Sequence, residues 1–506
     1  MNLKVISRNV GIALLVSALF MLLSVFVSLA DGGDSALAPL LISFTITFMM
    51  GIFPFVFVRK TAQISLKDGY MIIFLSWLLS FVFGAMPYAL WGGPFNLVNA
   101  WFESVSGFTT TGATILSDVE SLPRSLLFWR AATHFIGGLG VVVFLLLIIP
   151  TSSPVRLRLT NMELSSLSRE DYKSRANKTV FIFAWVYLGI CGAAFVSYLL
   201  CGMSVFDAIC HAFSVCAAGG FSTRTLSIGA FGSTAISLVT IVFMFLASIH
   251  FGLIFVMLVG RTLKPLRNPV LRFYMVSLAV ISVITSVSLK LEGLDATWGE
   301  AFLDGTFHVV SYGSTTGFAI SDNATWPMLP CFMLMLVSLV CGCAGSCTGG
   351  MKVDRVMVLF KAIHMQIQKT LYPTSVFEVR MGRRVLHDEE IYPQILYLAL
   401  FILLIGLSTI LCLLFGDPNG HALIGSLSTL ANVGPSLGSI GSMGNYDAEP
   451  QTMKLIFSAN MFLGRVEIYP IFAVISSIFN RKHQGRAYWT VLRICITLFA
   501  GIFRTN

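Results

Sequence analysis

The sequence predicts an all-α polytopic membrane protein with four pseudo-symmetric helix–pore-loop–helix repeats around one central pore, preceded by two extra N-terminal transmembrane helices. Composition indicates the membrane class, since 56% of the 506 residues are hydrophobic and only 11% are charged, against about 25% in soluble domains. Such a chain cannot cover a water-exposed surface. Four glycine- and serine-containing stretches recur between the long apolar runs and predict the repeats.

Apolar runs long enough to span a membrane follow one another along the chain, because a helix needs about 20 such residues to cross the hydrocarbon core. They lie at residues 10–30, 37–58, 69–91, 126–150, 179–201, 231–260, 271–290, 328–360, 391–416 and 453–480. Four shorter stretches are predicted to re-enter the membrane without crossing it, at residues 95–117, 204–226, 301–321 and 421–443. The predicted boundaries are residues 1–66 for the N-terminal helices, 67–155, 156–265, 266–365 and 366–482 for the four repeats, and 483–506 for a cytosolic tail.

Basic residues predict the orientation, because cytoplasmic loops retain Lys and Arg. With the N-terminus inside, the cytoplasmic segments hold 27 of the 33 basic residues, so both termini are predicted to be cytoplasmic. The net charge of +9 therefore marks membrane edges, and no nucleic-acid partner is predicted. The ten cysteines follow no pairing pattern and predict no disulfide framework.

The four short stretches align on one glycine each. These glycines are Gly112, Gly220, Gly317 and Gly434. Six residues earlier stand the serines Ser106, Ser214, Ser311 and Ser428. Thirteen residues earlier stand Asn99, Asp207, Asp304 and His421, of which the first three are predicted N-caps of short helices. One such stretch is equally typical of an extramembrane turn, but four in register favour a membrane-embedded unit.

The repeated unit has the properties of a cation pathway. A glycine-rich loop at membrane depth needs protein or water around its backbone carbonyls. The C-terminal ends of short helices carry partial negative charge, which favours a cation at a point that they share. Carbonyls in the following loop can replace the hydration shell of an ion, and glycine permits the backbone angles that this requires.

The same loops carry a family resemblance. Its most specific motifs are TTTGAT at residues 109–114, GGFST at 219–223, STTGFA at 314–319, NVGPSLG at 432–438 and GRVEI at 464–468. On these motifs nearly the whole chain resembles the Trk/Ktr/HKT superfamily of potassium transporters, and within it the bacterial Trk membrane subunits of the TrkH/TrkG type. The resemblance implies a bacterial inner-membrane protein that forms a homodimer in the lipid bilayer. It also implies a cytosolic nucleotide-binding regulatory ring of the TrkA type, responsive to NAD or to ATP/ADP.

The resemblance further implies a K⁺-binding selectivity filter, with K⁺ as its ion and no organic cofactor. The implied filter residues are Thr110, Thr111, Gly112, Ala218, Gly219, Gly220, Thr315, Thr316, Gly317, Asn432, Val433 and Gly434. In the plant branch a serine at the place of Gly112 accompanies sodium preference, so the glycine implies preference for potassium. Cys216 and Ala217 stand where more polar residues are expected, which bears on fine selectivity rather than on the pathway itself.

A gate is predicted below the third loop. The sequence CGCAGSCTGG at residues 341–350 interrupts the predicted span 328–360, because it is too glycine-rich to continue a helix. The resemblance places a gating loop here and assigns it Gly345, Ser346, Thr348, Gly349 and Gly350. A closely packed interface of small residues is the alternative. The spacing of the cysteines in this segment does not match a zinc site.

Arg465 is a further gate candidate, because it lies near the middle of the predicted span 453–480. A charged side chain there costs at least about 2.5 to 3.5 kcal/mol, so Arg465 is expected to face a polar interior. It is predicted either to project a positive charge into the pore, as a barrier to cations, or to pair with an acid on another helix. Glu467 is not that acid, since residues two apart on a helix point to different sides.

Several other polar residues are predicted to support the loops rather than to bind ions. They are Glu103, His211 and His308, each nine residues before a loop glycine, together with Arg130 and His134. The longest cytosolic loops are predicted at residues 151–178 and 361–390. Within the second, residues 372–385 alternate as a short strand pair would and, by resemblance, meet the regulatory ring.

The favoured function is a gated potassium-conducting membrane subunit of a Trk-type uptake system, which passes K⁺ and Rb⁺. A proton- or sodium-coupled K⁺ symporter stays open as the alternative, although such carriers usually show acidic or histidine relays at mid-span. No enzyme is predicted, because the sequence contains neither HExxH nor a pair of intramembrane aspartates.

Overall fold

A computed structural model describes residues 2–58, 66–148, 176–294, 296–382 and 384–479. Most of the predicted cytosolic loop 151–178 and all of the predicted tail 483–506 lie outside these residues. The N-terminal pair consists of the helices Leu3–Ala30 and Leu37–Phe57. These two helices pack closely, since a Cβ added to Gly11 would lie 2.6 Å from the Gly51 carbonyl oxygen.

Four units follow, and each contains a first helix, a short helix, a glycine loop and a broken helix. The first helices are Leu66–Trp91, Ala176–Leu200, Pro269–Leu291 and Asp388–Leu414. The short helices are Leu97–Phe108, Val205–Cys216, Trp298–Gly313 and Ala422–Leu430. The broken helices are Arg124–Ile148, Thr234–Ser248 with Phe251–Val259, Met328–Val340 with Val353–Leu371, and Gln451–Arg465 with Ile468–Phe479.

Membrane spans are frequent in the described part of the chain. Six of its helices are individually long and apolar enough to cross a membrane, and two bent helix pairs meet the same criterion as pairs. The structure therefore confirms the predicted all-α polytopic membrane class.

Each of the four broken helices is interrupted near its middle or its end. Gly140 leaves helical geometry in unit one, with φ 71° and ψ 146°. The two halves meet at 105° in unit two and at 103° in unit four. The predicted spans at residues 231–260 and 453–480 are therefore each a bent pair of helices rather than one straight helix. The mean hydropathy of each pair stays high across its break, although His250, Arg465 and Glu467 lie there, so hydropathy alone does not detect the bends.

The break in unit three was predicted, and its bounds are now defined. The helix Met328–Val340 ends at Cys341, and the next helix begins at Val353. Residues 341–352 connect them without regular secondary structure and are called the small-residue loop below. This loop also stabilises the bend in unit two, because the Phe251 N–H donates to the Gly345 carbonyl at 3.1 Å.

The predicted helix N-caps are wrong in the first three units. The capping side chains are those of Asn96, Ser204 and Thr297, which accept hydrogen bonds from backbone N–H groups three residues later. Asn99 and Asp207 are the residues whose N–H groups donate to these caps, and Asp304 lies inside its helix. In unit four, His421 holds the N-cap position, but the Asp417 carboxylate accepts from the first N–H groups instead.

The order of packing brings the four units into a ring. The broken helix of unit one packs on the short helix of unit two, and that of unit two on the short helix of unit three. The broken helix of unit four packs on the short helix of unit one. The last unit is therefore a neighbour of the first, and the four glycine loops come together.

A two-stranded hairpin projects beyond the helix Val353–Leu371. Its strands Val379–Met381 and Arg384–Leu386 pair antiparallel, with Val379 opposite Leu386. The predicted strand pair at residues 372–385 is confirmed, with both strands displaced toward the end of that range.

Candidate functional site

The four glycine loops share one backbone conformation. Two residues before each aligned glycine, the chain adopts left-handed φ angles of 52°, 56°, 55° and 55° at Thr110, Ala218, Thr315 and Asn432. The glycines themselves have φ angles of 79°, 81°, 75° and 88° at Gly112, Gly220, Gly317 and Gly434. Residues with a Cβ rarely adopt positive φ, so the same unusual geometry in four places reflects one repeated structure.

The loops interlock through these glycines. A Cβ added to Gly112 would lie 2.0 Å from the carbonyl oxygen of Gly219 in the second loop. The equivalent distances are 1.9 Å from Gly220 to Thr316 O, 2.5 Å from Gly317 to Val433 O, and 2.2 Å from Gly434 to Thr111 O. Each glycine therefore leaves room for the middle carbonyl of the next loop, and the fourth loop closes onto the first.

The repeated serines fasten the loops from behind. Ser214 and Ser311 donate to the carbonyls of Phe221 and Phe318 at 2.7 Å, one residue after the loop glycine in each case. The Ser428 hydroxyl lies 2.9 Å from the carbonyl oxygens of both Gly434 and Pro435 and shares its single proton between them. The Ser106 hydroxyl is buried and has no hydrogen-bond partner among the described residues. Three of the four serines therefore hold the carbonyls at the end of their own loop.

The side chains nine residues before the glycines also support the loops. The Glu103 carboxylate accepts from the hydroxyl of Thr114 at 3.0 Å and from the N–H of Ile115 at 3.1 Å. His211 bonds to the Ser222 hydroxyl at 2.9 Å, and His308 bonds to the Ser321 carbonyl at 3.1 Å. All three are fully buried. These contacts agree with the predicted supporting role.

Arg130 ties the first two loops together. Its guanidinium forms a buried ion pair with Glu103 at 2.8 Å and donates to the Ser222 carbonyl of the second loop at 3.3 Å. It also lies over the Phe221 ring, 4.1 Å from the ring centre. A buried charge is stable only when paired and hydrogen-bonded, and both conditions are met here.

His134 lies directly behind the second loop. Its Nδ1 is 3.0 Å from the Ser214 hydroxyl. A Cβ added to Gly219 would lie 2.4 Å from that same nitrogen, so the glycine lets the histidine ring approach the backbone. Cys216 and Ala217 precede this loop and are buried, Cys216 being the last residue of the short helix.

A cavity on one side of the ring receives residues from all four loops. It is lined by Gly112, Gly220, Gly317 and Pro435, with Tyr446 at its wall. Nearby, Glu120 links units one and two by accepting from the N–H and hydroxyl of Thr225. Burial acts to raise the pKa of Glu120, but the hydrogen bonds from Thr225 outweigh it and the pKa is lowered.

The small-residue loop packs directly against the glycine loops on the other side. The Gly349 N–H donates to the Thr315 hydroxyl at 3.1 Å, and a Cβ on Gly349 would lie 2.4 Å from the Ala431 carbonyl oxygen. Gly350 has φ 67°, and a Cβ there would lie 2.2 Å from the sulfur of Cys341. The loop is therefore closely packed, and a side chain at either glycine would clash with its neighbours.

Inside the small-residue loop, hydroxyls and a charged residue hold the turn. Ser346 donates to the Cys343 carbonyl at 2.6 Å and bonds to the Thr348 hydroxyl at 2.8 Å. The buried Lys352 ammonium donates to the Thr348 carbonyl at 2.8 Å. All five predicted gate residues of this segment thus lie in one compact loop beneath the glycine loops.

Arg465 joins the small-residue loop to the broken helix of unit one. Its guanidinium donates to the carbonyls of Cys347 and Gly137, each at 2.7 Å. These contacts agree with the expectation that Arg465 faces a polar interior. Glu467 accepts instead from Arg355 at 2.8 Å, as expected from the two-residue separation.

A charged cluster beside this loop was not found from the sequence. Asp354 accepts from the Ala344 N–H at 2.6 Å, which anchors the start of the loop. Arg355 contacts Glu467, donates to the Gln394 amide at 3.1 Å and lies 3.8 Å from the centre of the Tyr397 ring. The sequence does contain a signal that could have predicted this cluster. Its charged residues begin inside a predicted apolar span, where solvated loop residues are not expected.

A family model described as "TrkH: Cation transport protein" matches residues 40–483. The chain belongs to this family. The match covers the N-terminal helix pair in part and all four glycine loops.

Individual family members resemble the chain along nearly its whole length. It is 32% identical over 487 residues to the Trk system potassium uptake protein TrkH of Halomonas elongata, which covers 95% of the chain and 100% of that protein. It is 32% identical over 491 residues to TrkG of Escherichia coli strain K12, with 95% and 99% covered. The crystal structure of the potassium transporter TrkH from Vibrio parahaemolyticus matches with a TM-score of 0.84 at 28% identity, covering 94% of the chain and 98% of that structure.

Membership confirms the predicted TrkH/TrkG-type resemblance and a multi-pass membrane protein of a transport family rather than an enzyme. No group of three or more His, Cys, Asp or Glu side chains placed to hold a metal ion occurs within the described ranges. The cysteines of the small-residue loop, which lie inside those ranges, accordingly form no such group.

Proposed function

We propose that the chain is the gated potassium-conducting membrane subunit of a Trk-type K⁺ uptake system. The observation that carries the proposal is the closed ring in which each loop glycine admits the middle carbonyl of the next loop. A ring of carbonyl oxygens is the chemistry that replaces the hydration shell of K⁺ or Rb⁺. The curated relatives in Halomonas elongata and Escherichia coli are named as potassium uptake proteins, which agrees with this ion.

The filter is formed by the twelve residues of the glycine loops. They are Thr110, Thr111, Gly112, Ala218, Gly219, Gly220, Thr315, Thr316, Gly317, Asn432, Val433 and Gly434. The short helices end at these loops, so the partial negative charge of their C-terminal ends favours a cation in the ring. The Glu103–Arg130 pair and the buried histidines hold the loops at a fixed separation, which is what selection by ion size requires.

The gate is formed by the small-residue loop and Arg465. Gly345, Ser346, Thr348, Gly349 and Gly350 place backbone directly beneath the filter, and Gly349 contacts both Thr315 and Ala431. The guanidinium of Arg465 adds positive charge at the same level. Withdrawal of the loop and of Arg465 opens the path to the cytosol.

The proposed assembly is a homodimer in the bacterial inner membrane, with both termini cytoplasmic. The hairpin of residues 379–386 and the helix Val353–Leu371 face the cytosol, where a TrkA-type nucleotide-binding ring contacts them. Because that helix begins at the small-residue loop, movement of the nucleotide-binding ring is transmitted to the gate. The domain boundaries predicted from the sequence stay a proposal, and the one between residues 365 and 366 falls inside the helix Val353–Leu371.

A coupled symporter is the alternative, and the charge pairing argues against it. Such a carrier needs an acid that can bind and release an ion during each cycle. Glu103 is paired with Arg130, and Glu467 with Arg355. Both acids therefore have structural partners within hydrogen-bond distance.

The test is cation flux through the purified protein in liposomes, with gradients of K⁺, Rb⁺, Na⁺ or Li⁺ and no proton gradient. We expect passive flux in which K⁺ and Rb⁺ pass faster than Na⁺ and Li⁺. Flux that needs an imposed proton or sodium gradient would favour the symporter. Equal flux of all four ions would contradict a carbonyl filter.

A further inference from the structure

The outer end of the fourth glycine loop differs from the other three. In units two and three the repeated serine donates to the carbonyl one residue after the glycine, at Phe221 and Phe318. In unit four the serine hydroxyl lies 2.9 Å from the carbonyl of the glycine itself, Gly434, as well as from that of Pro435, and it shares its single proton between them. The carbonyl oxygens of Gly112, Gly220 and Gly317 accept no hydrogen bond from the residues that the structure describes.

A second hydroxyl reaches the same atom. The Tyr446 hydroxyl donates to the Gly434 carbonyl oxygen at 2.8 Å. A carbonyl oxygen has two lone pairs. The Tyr446 hydroxyl occupies one of them, and Ser428 shares its single proton between the other and the Pro435 carbonyl. The Gly434 oxygen is therefore much less available to a cation than its three counterparts.

Tyr446 is held firmly in this position. Its N–H donates to the Thr114 carbonyl of the first loop at 2.8 Å. Its ring is buried and packs on Phe102 and Phe457, with ring centres 5.4 and 5.8 Å away. The hydroxyl is thus directed at Gly434 by contacts on both sides of the ring.

The cavity above the ring shows the same asymmetry. Its wall contains the glycines of units one, two and three, but in unit four it contains Pro435 in place of Gly434. The hydrogen bonds and the shape of the cavity are independent observations, and both set unit four apart.

We propose that Tyr446 is a specificity-determining residue, which withdraws the Gly434 carbonyl so that only units one to three offer a glycine carbonyl to the outermost ion. The inference rests on the proposed function of the loops as a K⁺ filter. Selectivity for K⁺ over Na⁺ depends on the number and field strength of the coordinating carbonyls. Tyr446 therefore lowers the discrimination that four equivalent carbonyls would give.

The direct test is Tyr446→Phe, which removes the hydroxyl and keeps the ring. Reversal potentials in liposomes under opposed K⁺ and Na⁺ gradients give the permeability ratio. We expect the ratio of K⁺ to Na⁺ to rise by about threefold, the size expected from one hydrogen bond. Ser428→Ala removes the shared hydrogen bond to the same oxygen and is expected to shift the ratio in the same direction by a smaller factor.

Tyr312→Phe is the matched control. The Tyr312 hydroxyl is also buried and donates at 2.8 Å to a carbonyl of the same segment, but to Ser436 rather than Gly434. We expect an unchanged ratio. An equal shift in Tyr312→Phe, or a ratio that is unchanged or lower in Tyr446→Phe, would overturn the inference.

The wild-type protein separates this inference from the proposed function. If wild-type flux is not selective for K⁺, both fail; if it is selective and the variants do not differ from it, only this inference fails. A measurement without variants is the position of Rb⁺ in crystals of the wild-type protein. We expect the outermost ion to lie closer to the oxygens of Gly112, Gly220 and Gly317 than to that of Gly434, and an ion equidistant from all four would overturn the proposal.

Discussion

The N–H of Gly349 donates to the hydroxyl oxygen of Thr315 at 3.1 Å, so the small-residue loop is hydrogen-bonded to a glycine loop. In the proposed function these are the gate and the filter. Opening of the gate then breaks a hydrogen bond to a filter residue and frees its hydroxyl. Conduction and selection are thus connected through one contact rather than through a distant network.

Gly112→Ser is expected to lower the K⁺ over Na⁺ permeability ratio. A Cβ at Gly112 would lie 2.0 Å from the Gly219 oxygen, and φ 79° is strained for serine. Strain of about 1 to 3 kcal/mol corresponds to roughly a tenfold change, and reversal potentials measure it. Gly406→Ser is the control, because nothing lies within 4 Å of its added Cβ. An unchanged ratio in Gly112→Ser would remove the filter assignment.

Arg465→Ala is expected to raise basal K⁺ flux in liposomes without any regulatory partner. The change removes a positive charge and the hydrogen bonds to Cys347 and Gly137. Arg465→Lys keeps the charge but cannot bridge both carbonyls with a planar fork, so it separates the two contributions. Arg124→Ala, at an exposed ion pair, is the control. Wild-type flux in Arg465→Ala would return this residue to a purely structural role.

Deletion within residues 345–350 is expected to raise basal flux further than any point change in the loop. Gly349→Ala is the milder variant, since its Cβ would lie 2.4 Å from the Ala431 oxygen and displace the loop. Gly192→Ala, with open space around the added Cβ, serves as its control. Basal flux at the wild-type level in the deletion variant would mean that the loop does not close the path.

Glu103→Gln is expected to destabilise the protein strongly. It leaves the Arg130 guanidinium buried without a counter-charge, which typically costs about 3 to 5 kcal/mol. Thermal unfolding of the solubilised protein, followed by the intrinsic fluorescence, measures the loss. Asp31→Asn breaks an ion pair of which the arginine is 65% exposed, and its effect should be about 1 kcal/mol or less. Similar midpoints for the two variants would contradict a supporting role for Glu103.

Much of the fold was predictable because the motifs that indicate it consist of residues that lie close together in the sequence. The glycines at 112, 220, 317 and 434 recur with a serine six residues earlier, and the structure gives these four loops one conformation. The N-caps were misplaced by three residues in two units, because Asn96 and Asn99, or Ser204 and Asp207, are equally good candidates by type.

The contacts between units were not predictable from one sequence. The approach of Gly434 to Thr111 joins residues that are far apart in the chain, and no local pattern encodes it. The bends beside His250 and Glu467 were missed because the mean hydropathy stays high across each break. Arg355 and Asp354 lie within the predicted span 328–360, and no local pattern in the sequence indicates which residues pack against them and bury both.

The ring of glycines determines which other loop is disturbed by a substitution at one of them. Each glycine makes room for a carbonyl that belongs to the following unit, so a side chain introduced in one unit displaces its neighbour in addition to straining its own loop. Compensating substitutions for a lesion at Gly112 should therefore arise in the second loop, and those for a lesion at Gly434 in the first. A genetic screen for suppressors would therefore show the direction in which each loop contacts the next around the ring. Four identical subunits could not show it, because a substitution would be present in all four at once.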